Sequence, residues 1–208
     1  MRVALFSGGK ESFYASVLAG PVDAYVVFIY EFPEPSPHLI NLSLSIESGT
    51  STGLPVIVKS LSRGREFIES VEFLKSLGTN VIVAGDVYVE EHLRYMERLA
   101  SEVGAELKEP LWGLDPEEVL AKEVEYGIEA LVTGVRESAS ELLGKLISRE
   151  THEELLDLIR KLGIDPIGER GEYHTLVINS PKHLRRVRYR VLNTFRRGGV
   201  EVLILTNY

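Results

Sequence analysis

The chain opens on a short apolar run, Val3 to Phe6, broken at once by Ser7-Gly8-Gly9 and followed by Lys10-Glu11-Ser12 and a helix-forming stretch to Ala19. No other feature limits the fold so tightly. A buried strand that ends in glycines and re-enters as a helix is the start of a strand–helix–strand unit. It is also a physical arrangement for holding an anion. Glycines let the backbone approach closely, several N–H groups converge, and the helix N-terminus adds a favourable dipole. Lys10 brings a positive charge expected to be mobile, and Ser7 and Ser12 bring hydroxyl donors. The G-x-x-x-x-G-K-[ST] pattern of a Walker A loop is nowhere satisfied.

The rest of the first half keeps the alternation. Asp23 to Tyr30 reads as a strand, followed by the Pro-rich EFPEPSP; residues 39–48 read as a helix and Leu54 to Lys59 as a strand. Glu66 to Leu77 carries Phe67, Val71, Leu74 and Leu77 at helical spacing, with Gly78 as a stop. Asn80 to Ala84 is a strand ending at Gly85-Asp86, and a helix is expected over 89–103. The first helix is expected to bury Phe13, Val17 and Leu18. Such alternation predicts an α/β fold with a doubly wound parallel sheet. Ligands in these sheets sit beyond the carboxyl ends of the strands, where strand order reverses, so the 7–12 loop and Gly85-Asp86 are expected to meet there.

The pattern changes after Pro110. Residues 115–126 and 151–162 read as helices, with a strand over 129–133 between them. Strands follow at 174–178, 186–192 and 200–205, the last two joined through Arg196-Arg197-Gly198-Gly199. We therefore read residues 1–112 as a Rossmann-like domain and 113–208 as a smaller α+β C-terminal domain. The sole Trp, Trp112, is expected to pack at their junction.

Composition removes whole classes of chemistry. The chain has 208 residues, 44% of them hydrophobic, and no Cys, so it can build no thiolate nucleophile, persulfide carrier or Fe–S cluster. It also lacks Gln and has only 2 Met, a composition that suits heat. Met1 leads into RVALFSGG without the flanks of a signal peptide, and no apolar run reaches the length of a membrane span, so a cytoplasmic protein without a membrane partner is expected. The net charge of -8 hides an asymmetry: residues 180–208 carry +6 and the remainder -14. Alternation puts Arg186, Arg188 and Arg190 on one face of the expected 186–192 strand, a cationic surface for a protein or RNA partner or simply a solvated one.

The loop Ser7-Gly8-Gly9-Lys10-Glu11-Ser12 resembles the SGGxDS pyrophosphate loop of the N-type ATP pyrophosphatases (the PP-loop superfamily), with Glu11 where that family has Asp. Further segments narrow the resemblance to the diphthine–ammonia ligase family. Gly85-Asp86-Val87 with Glu91-His92-Leu93-Arg94-Tyr95-Met96-Glu97-Arg98 is similar to its GD…HRRWxER block, departing at Leu93. Glu109-Pro110-Leu111-Trp112 is similar to its PLW segment, Leu143-Gly144 to its LG, and Gly168-Glu169-Arg170-Gly171-Glu172-Tyr173-His174-Thr175 to its GExGEYxT signature.

That resemblance implies an ATP- and Mg²⁺-dependent ligase of diphthamide synthesis. Diphthine on elongation factor two would be adenylated by ATP, and ammonia would displace AMP to form the amide. It implies pyrophosphate binding by Ser7, Gly8, Gly9, Lys10 and Ser12, with Gly85 and Glu11 also at the nucleotide, and Asp86 and Glu11 as metal contacts. Lys10, Asp86, Glu169, Glu172 and His174 are the expected catalytic residues: the carboxylates to hold ammonium or diphthine's trimethylammonium group or to take a proton, with Tyr173 as a cation–π face. Asp86 is equally suited to capping a helix, and His92 and Arg94 to an exposed charged helix face. Two other readings stand beside the ligase: an ATP-dependent RNA-modifying enzyme, from which sulfur transfer is removed by the absence of Cys, and a non-enzymatic nucleotide-binding regulator. The oligomeric state stays open, a homo-oligomer included, and ammonia must arrive free or from a partner.

Overall fold

The computed structural model describes residues 1–30 and 36–208, so most of the Pro-rich segment lies outside the described residues. The first sheet is five-stranded and entirely parallel, in the order β3-β2-β1-β4-β5. Its strands are β1 (Arg2–Leu5), β2 (Ala24–Ile29), β3 (Val56–Ser60), β4 (Val81–Val83) and β5 (Glu106–Lys108). Helices α1 (Lys10–Leu18), α2 (Pro37–Ile40), α3 (Leu42–Thr50), α4 (Glu66–Ser76) and α5 (Glu90–Val103) connect them. This is the doubly wound arrangement, and strand order reverses at β1, between β2 and β4.

Burial on both faces explains why these strands read as unbroken apolar runs. On one face Val3, Val26 and Ile82 pack against Val71 and Leu74 of α4 and Leu99 of α5. On the other, Ala4, Val27 and Val83 meet Phe13 and Tyr14 of α1. Phe13 is buried as expected, but Leu18 is 46% exposed, and α1 buries Lys10, Tyr14, Ala15 and Ser16 beside Phe13.

The second sheet is antiparallel and centred on β6 (Glu129–Arg136). It pairs with β7 (Leu146–Ile147), β8 (Tyr173–Asn179) and β10 (Val200–Asn207), and β9 (Tyr189–Arg197) lies outside β10. Helices α6 (Pro116–Tyr126) and α7 (His152–Leu162) and a 3-10 turn at Glu137–Leu142 complete this half. Both residues of the Gly198-Gly199 turn have positive φ, at 61° and 78°, the type I′ geometry that matches strand twist, and Arg197 pairs with Val200 across it.

The expected 186–192 strand is displaced. Val187 is buried and its N–H bonds the carbonyl of Ile178, so the chain turns inward there; β9 begins at Tyr189 and runs on to the glycines. Arg186 and Arg188 therefore precede the strand, and β9 is exposed almost throughout rather than half-buried. The expected 39–48 helix is interrupted at Asn41. The Asn41 amide is fully inside the protein, where it donates to Leu203 O at 2.9 Å and accepts from Leu205 N at 2.9 Å, bonding the β10 backbone at the level where β9 carries an extra residue, Leu192. At the junction it is Leu111 that takes the core position, Trp112 being only partly buried.

The two sheets interlock. One apolar cluster runs from Phe13 through Val119, Leu120 and Val124 to Val132 and Val177. Val177 N donates to Gly8 O at 2.8 Å, Ser48 Oγ donates to Val177 O at 2.7 Å, and Lys10 N donates to Thr175 Oγ1 at 3.2 Å. β8 thus lies directly under the glycine loop. No helix among the described residues is long and apolar enough to cross a membrane.

Candidate active site

The loops after β1 and β4 meet as the strand order requires. Gly8 has φ of 88°, and a Cβ there would stand 2.5 Å from Ser45 Oγ. A Cβ on Gly85 would stand 2.8 Å from Glu11 O and 2.9 Å from Ser12 N. Only glycine lets the second loop close onto the first turn of α1. The first loop is knotted by its own hydroxyls: Ser7 N donates to Ser12 Oγ, Gly9 N to Ser7 Oγ, and Ser12 Oγ to Gly9 O. Gly9 occupies the cap position of α1 without a side-chain cap of its own, and the first helix amide, Lys10 N, donates to Thr175 Oγ1 instead.

Above these loops opens a cleft of about 1120 Å³. Ser7, Gly9, Glu11, Ser12, Gly85 and Asp86 line it from the first sheet, and Glu169, His174 and Thr175 from the second half. One end is apolar, walled by Val27, Phe28, Leu39, Tyr95 and Met96. Gly8 is packed beneath the floor.

The acidic wall is built by the segment before β8. Asp165 Oδ1 accepts from Ile167 N and Glu169 N, and its Oδ2 accepts from Tyr88 OH at 2.7 Å, which folds the G-E-R-G-E loop over the β4 end. Glu169 Oε1 then accepts from Val87 N at 3.0 Å, and Glu109 Oε2 from Asp86 N at 3.2 Å. His92 Nδ1 lies 3.2 Å from Asp86 Oδ1 and 3.9 Å from Glu169 Oε1. Burial, with the charge of Asp86, pushes Glu109 up to about 8, and burial raises Glu169 as well. The Asp86 hydrogen bond raises His92. These are acids waiting for a positive charge.

Asp86, His92 and Glu169 each offer a ligand atom within 4.8 Å of the others, a mixed oxygen and nitrogen set that suits a divalent cation. The sequence had placed Asp86 with Glu11 in that role. Glu11 is instead paired with the Lys10 ammonium, while His92, half-exposed on α5 as an outward-facing helix residue should be, still reaches Asp86 with its ring.

Lys10 departs from its expectation. It is fully buried, does not line the cleft, and donates to Ile167 O at 3.1 Å with Glu123 Oε2 at 3.8 Å. Glu172 also stays out of the cleft lining, with Oε2 buried and lacking a hydrogen-bond partner among the described residues. His174 does face the cleft, its ring edge-on to His38 at 5.1 Å. Burial holds His174 down to about 4 and His38 to about 3, so both are neutral at physiological pH. Sequence reasoning passed over His38, Glu109's direct contact with Asp86, Thr175 under α1, and Glu123. Only Glu109 and Thr175 carried a signal, as members of the quoted segments.

Fold and site together define a doubly wound α/β protein whose glycine loop faces an acidic loop supplied by an appended antiparallel sheet. The family model for the diphthamide synthase N-terminal domain matches residues 1–107, and that for the diphthamide synthase C-terminal domain matches residues 115–201. The chain belongs to the diphthamide synthase family. A diphthine–ammonia ligase of Schizosaccharomyces pombe is 32% identical over 96 residues, which is 44% of this chain and 15% of that protein. A solved structure described as the predicted subunit of a tRNA methyltransferase from Methanocaldococcus jannaschii gives a TM-score of 0.45 at 15% identity, covering 88% of this chain and 98% of that one.

Proposed function

We propose that the protein is a cytoplasmic, ATP-dependent amide-forming ligase that converts diphthine on elongation factor two to diphthamide with ammonia, through an acyl-adenylate, releasing AMP and pyrophosphate. The observation that carries this reading is the juxtaposition, in one cleft, of the glycine loop with the carboxylates of Asp86 and Glu169 from opposite halves. Residues 1–112 would supply the nucleotide loop and 113–208 the substrate side.

In this reading Ser7, Gly9 and Ser12 hold the phosphates at the terminus of α1, with Gly8 and Gly85 shaping the loops around them. The apolar end of the cleft takes the base. Mg²⁺ would be held by the carboxylates of Asp86 and Glu169, the oxygen donors a hard ion takes, with His92 orienting Asp86, and it would supply neutralisation of phosphate charge. The diphthine carboxylate attacks the α-phosphorus, pyrophosphate leaves, and ammonia then attacks the acyl carbon with loss of AMP. Ammonium reaching the cleft is drawn by the acidic wall of Asp86 and Glu169, and it sheds its proton to solvent before ammonia attacks. His174 and His38, neutral at the cleft wall, can orient the carboxylate without adding a competing charge.

Incubation with ATP, ammonium and diphthine-bearing elongation factor two is expected to yield AMP and a substrate mass shifted from acid to amide. Appearance of ADP, or no turnover while an established ligase turns over beside it, would rule the reading out. Asp86→Ala is expected to lower AMP release by at least a hundredfold with the unfolding midpoint little changed.

A further inference from the structure

We propose that Lys10 is a positioning residue rather than a phosphate contact: held between Glu123 of α6 and the carbonyl of Ile167, it clamps the G-E-R-G-E loop against the glycine loop and so sets Glu169 beside Asp86. The consequence for Glu169 in catalysis rests on the ligase reading; the clamp does not.

The geometry is one of enclosure. The side chain of Lys10 leaves the first turn of α1 and ends among groups that all come from the second half, apart from its neighbour Glu11. Its Nζ donates to Ile167 O at 3.1 Å, stands 3.8 Å from Glu123 Oε2, and lies 5.3 Å from the ring centre of Tyr173. Its own N–H is pinned to Thr175 Oγ1. Lys10, Glu123 and Tyr173 are all at least 98% buried, so none of the three has water as an alternative partner.

Glu123 is the second half of the argument. Both its carboxylate oxygens are buried without a hydrogen-bond partner among the described residues. The one cation recorded near it is Lys10. If Lys10 swung out to a phosphate, Glu123 would be left as an uncompensated buried charge or would have to take up a proton to escape it, and either state costs stability. Burial already pushes Glu123 up to about 7 against the pull of Lys10, and Lys10 itself down. The Lys10 ammonium is therefore committed inward.

What the clamp positions follows from the chain path. Ile167, whose carbonyl Lys10 holds, is followed by Gly168, with φ of 73° and room for no Cβ against Tyr173 O, and then by Glu169. Glu169 in turn accepts from Val87 N, next to Asp86. Fixing the carbonyl fixes the carboxylate two residues on.

The test uses the full chain carrying Lys10→Met, Glu123→Gln, or both. Three quantities are measured: the denaturant midpoint at pH 6 and 8, ATP affinity by calorimetry with Mg²⁺, and hydrogen exchange across residues 165–172. Lys10→Met alone is expected to lower the midpoint at pH 8 and to recover in part at pH 6, where Glu123 takes up a proton. The double variant, with no charge left unpaired, is expected to unfold near the wild-type midpoint and to bind ATP within threefold of wild type. Its loop amides should nevertheless exchange at least tenfold faster, because the hydrogen bond to Ile167 O is gone. Wild-type exchange in the loop, or a double variant no more stable than Lys10→Met, would overturn the clamp. A tenfold loss of ATP affinity in the double variant but not in Glu123→Gln would return Lys10 to the phosphates. If Lys10→Met does not fold, the comparison of Glu123→Gln with the double variant decides. If the wild-type protein binds no ATP, the ligase reading fails, while midpoint and exchange still decide the clamp.

Discussion

Two regions hold the chain's most unusual charges, and they are built on opposite terms. At the junction under the glycine loop, Lys10 and Glu123 are sealed from water, and His38 and His174 meet edge to face and are kept neutral. On β9, Arg190, Arg196 and Arg197 stand in solvent, and the partner of Arg196 is Glu201 on the neighbouring strand at 2.8 Å. The junction's groups come from both halves and have few alternatives; the hairpin's can be met by water. A polar residue is therefore constrained by its burial and its partners, not by its charge.

Acid offers the sharpest way to break that comparison. His38 and His174 are held below the usual 6.5 in the folded protein, so the unfolded chain takes up protons first as pH falls. The stability they confer is complete above about 6.5 and is lost as pH falls toward 4 and then 3. Glu123 acts in the reverse sense, its contribution fading as pH rises through about 7. Urea unfolding at pH 7 and 4.5 should give a steep loss in the wild type and a clearly flatter one in His38→Gln. Equal slopes would mean that the histidines are not kept neutral by the junction.

Gly85→Ala attacks the same region through shape. The new Cβ meets backbone atoms of Glu11 and Ser12, which cannot swing aside, so a loss of about 1–3 kcal/mol is expected in chemical denaturation. ATP binding in calorimetry should weaken with it. A tolerated alanine would mean that the two loops do not close as tightly as the backbone distances indicate.

The first sheet was largely legible because its signals are local. Apolar runs ended by glycine, helices ended by Gly20, Gly78 and Gly104, and strand–helix alternation together imply a doubly wound parallel sheet once right-handed crossovers are required, while its 3-2-1-4-5 order is set by packing that no local window holds. Strands of two or three residues, β7 and β5, leave too little pattern to detect. Asn41 interrupts a helix where its amide bonds the backbone of β10, far away in sequence, which no local window contains. The site divided the same way. The loops that bring Ser7, Gly9, Asp86 and Glu169 to one cleft lie where motif spacing put them. The direction of Lys10 was hidden, because lysine is almost always solvated and Glu123 reads as one more charge in PEEVLAKEVEY. Long-range polar burial is the part that a single sequence conceals.

Between the extremes lies an ordinary helix cap. Asp115 accepts from Glu117 N at 3.0 Å and Glu118 N at 3.1 Å, at the start of the helix that carries Glu123. Asp115→Ala should cost about 1 kcal/mol in denaturant unfolding. A much larger loss would show that α6 is held chiefly from its terminus rather than through the junction.

The smallest effect is expected at the hairpin, and its smallness is the point. Arg196 is largely exposed, and its pairing with Glu201 competes with water and salt. Arg196→Ala should therefore shift stability by less than about 0.5 kcal/mol, with the difference shrinking further in high salt. The Gly198-Gly199 turn and the pairing of β9 with β10 hold the strand without it. A loss comparable to that of Gly85→Ala would mean that exposed charge on β9 is as constrained as buried charge at the junction, and the distinction between the two regions would collapse.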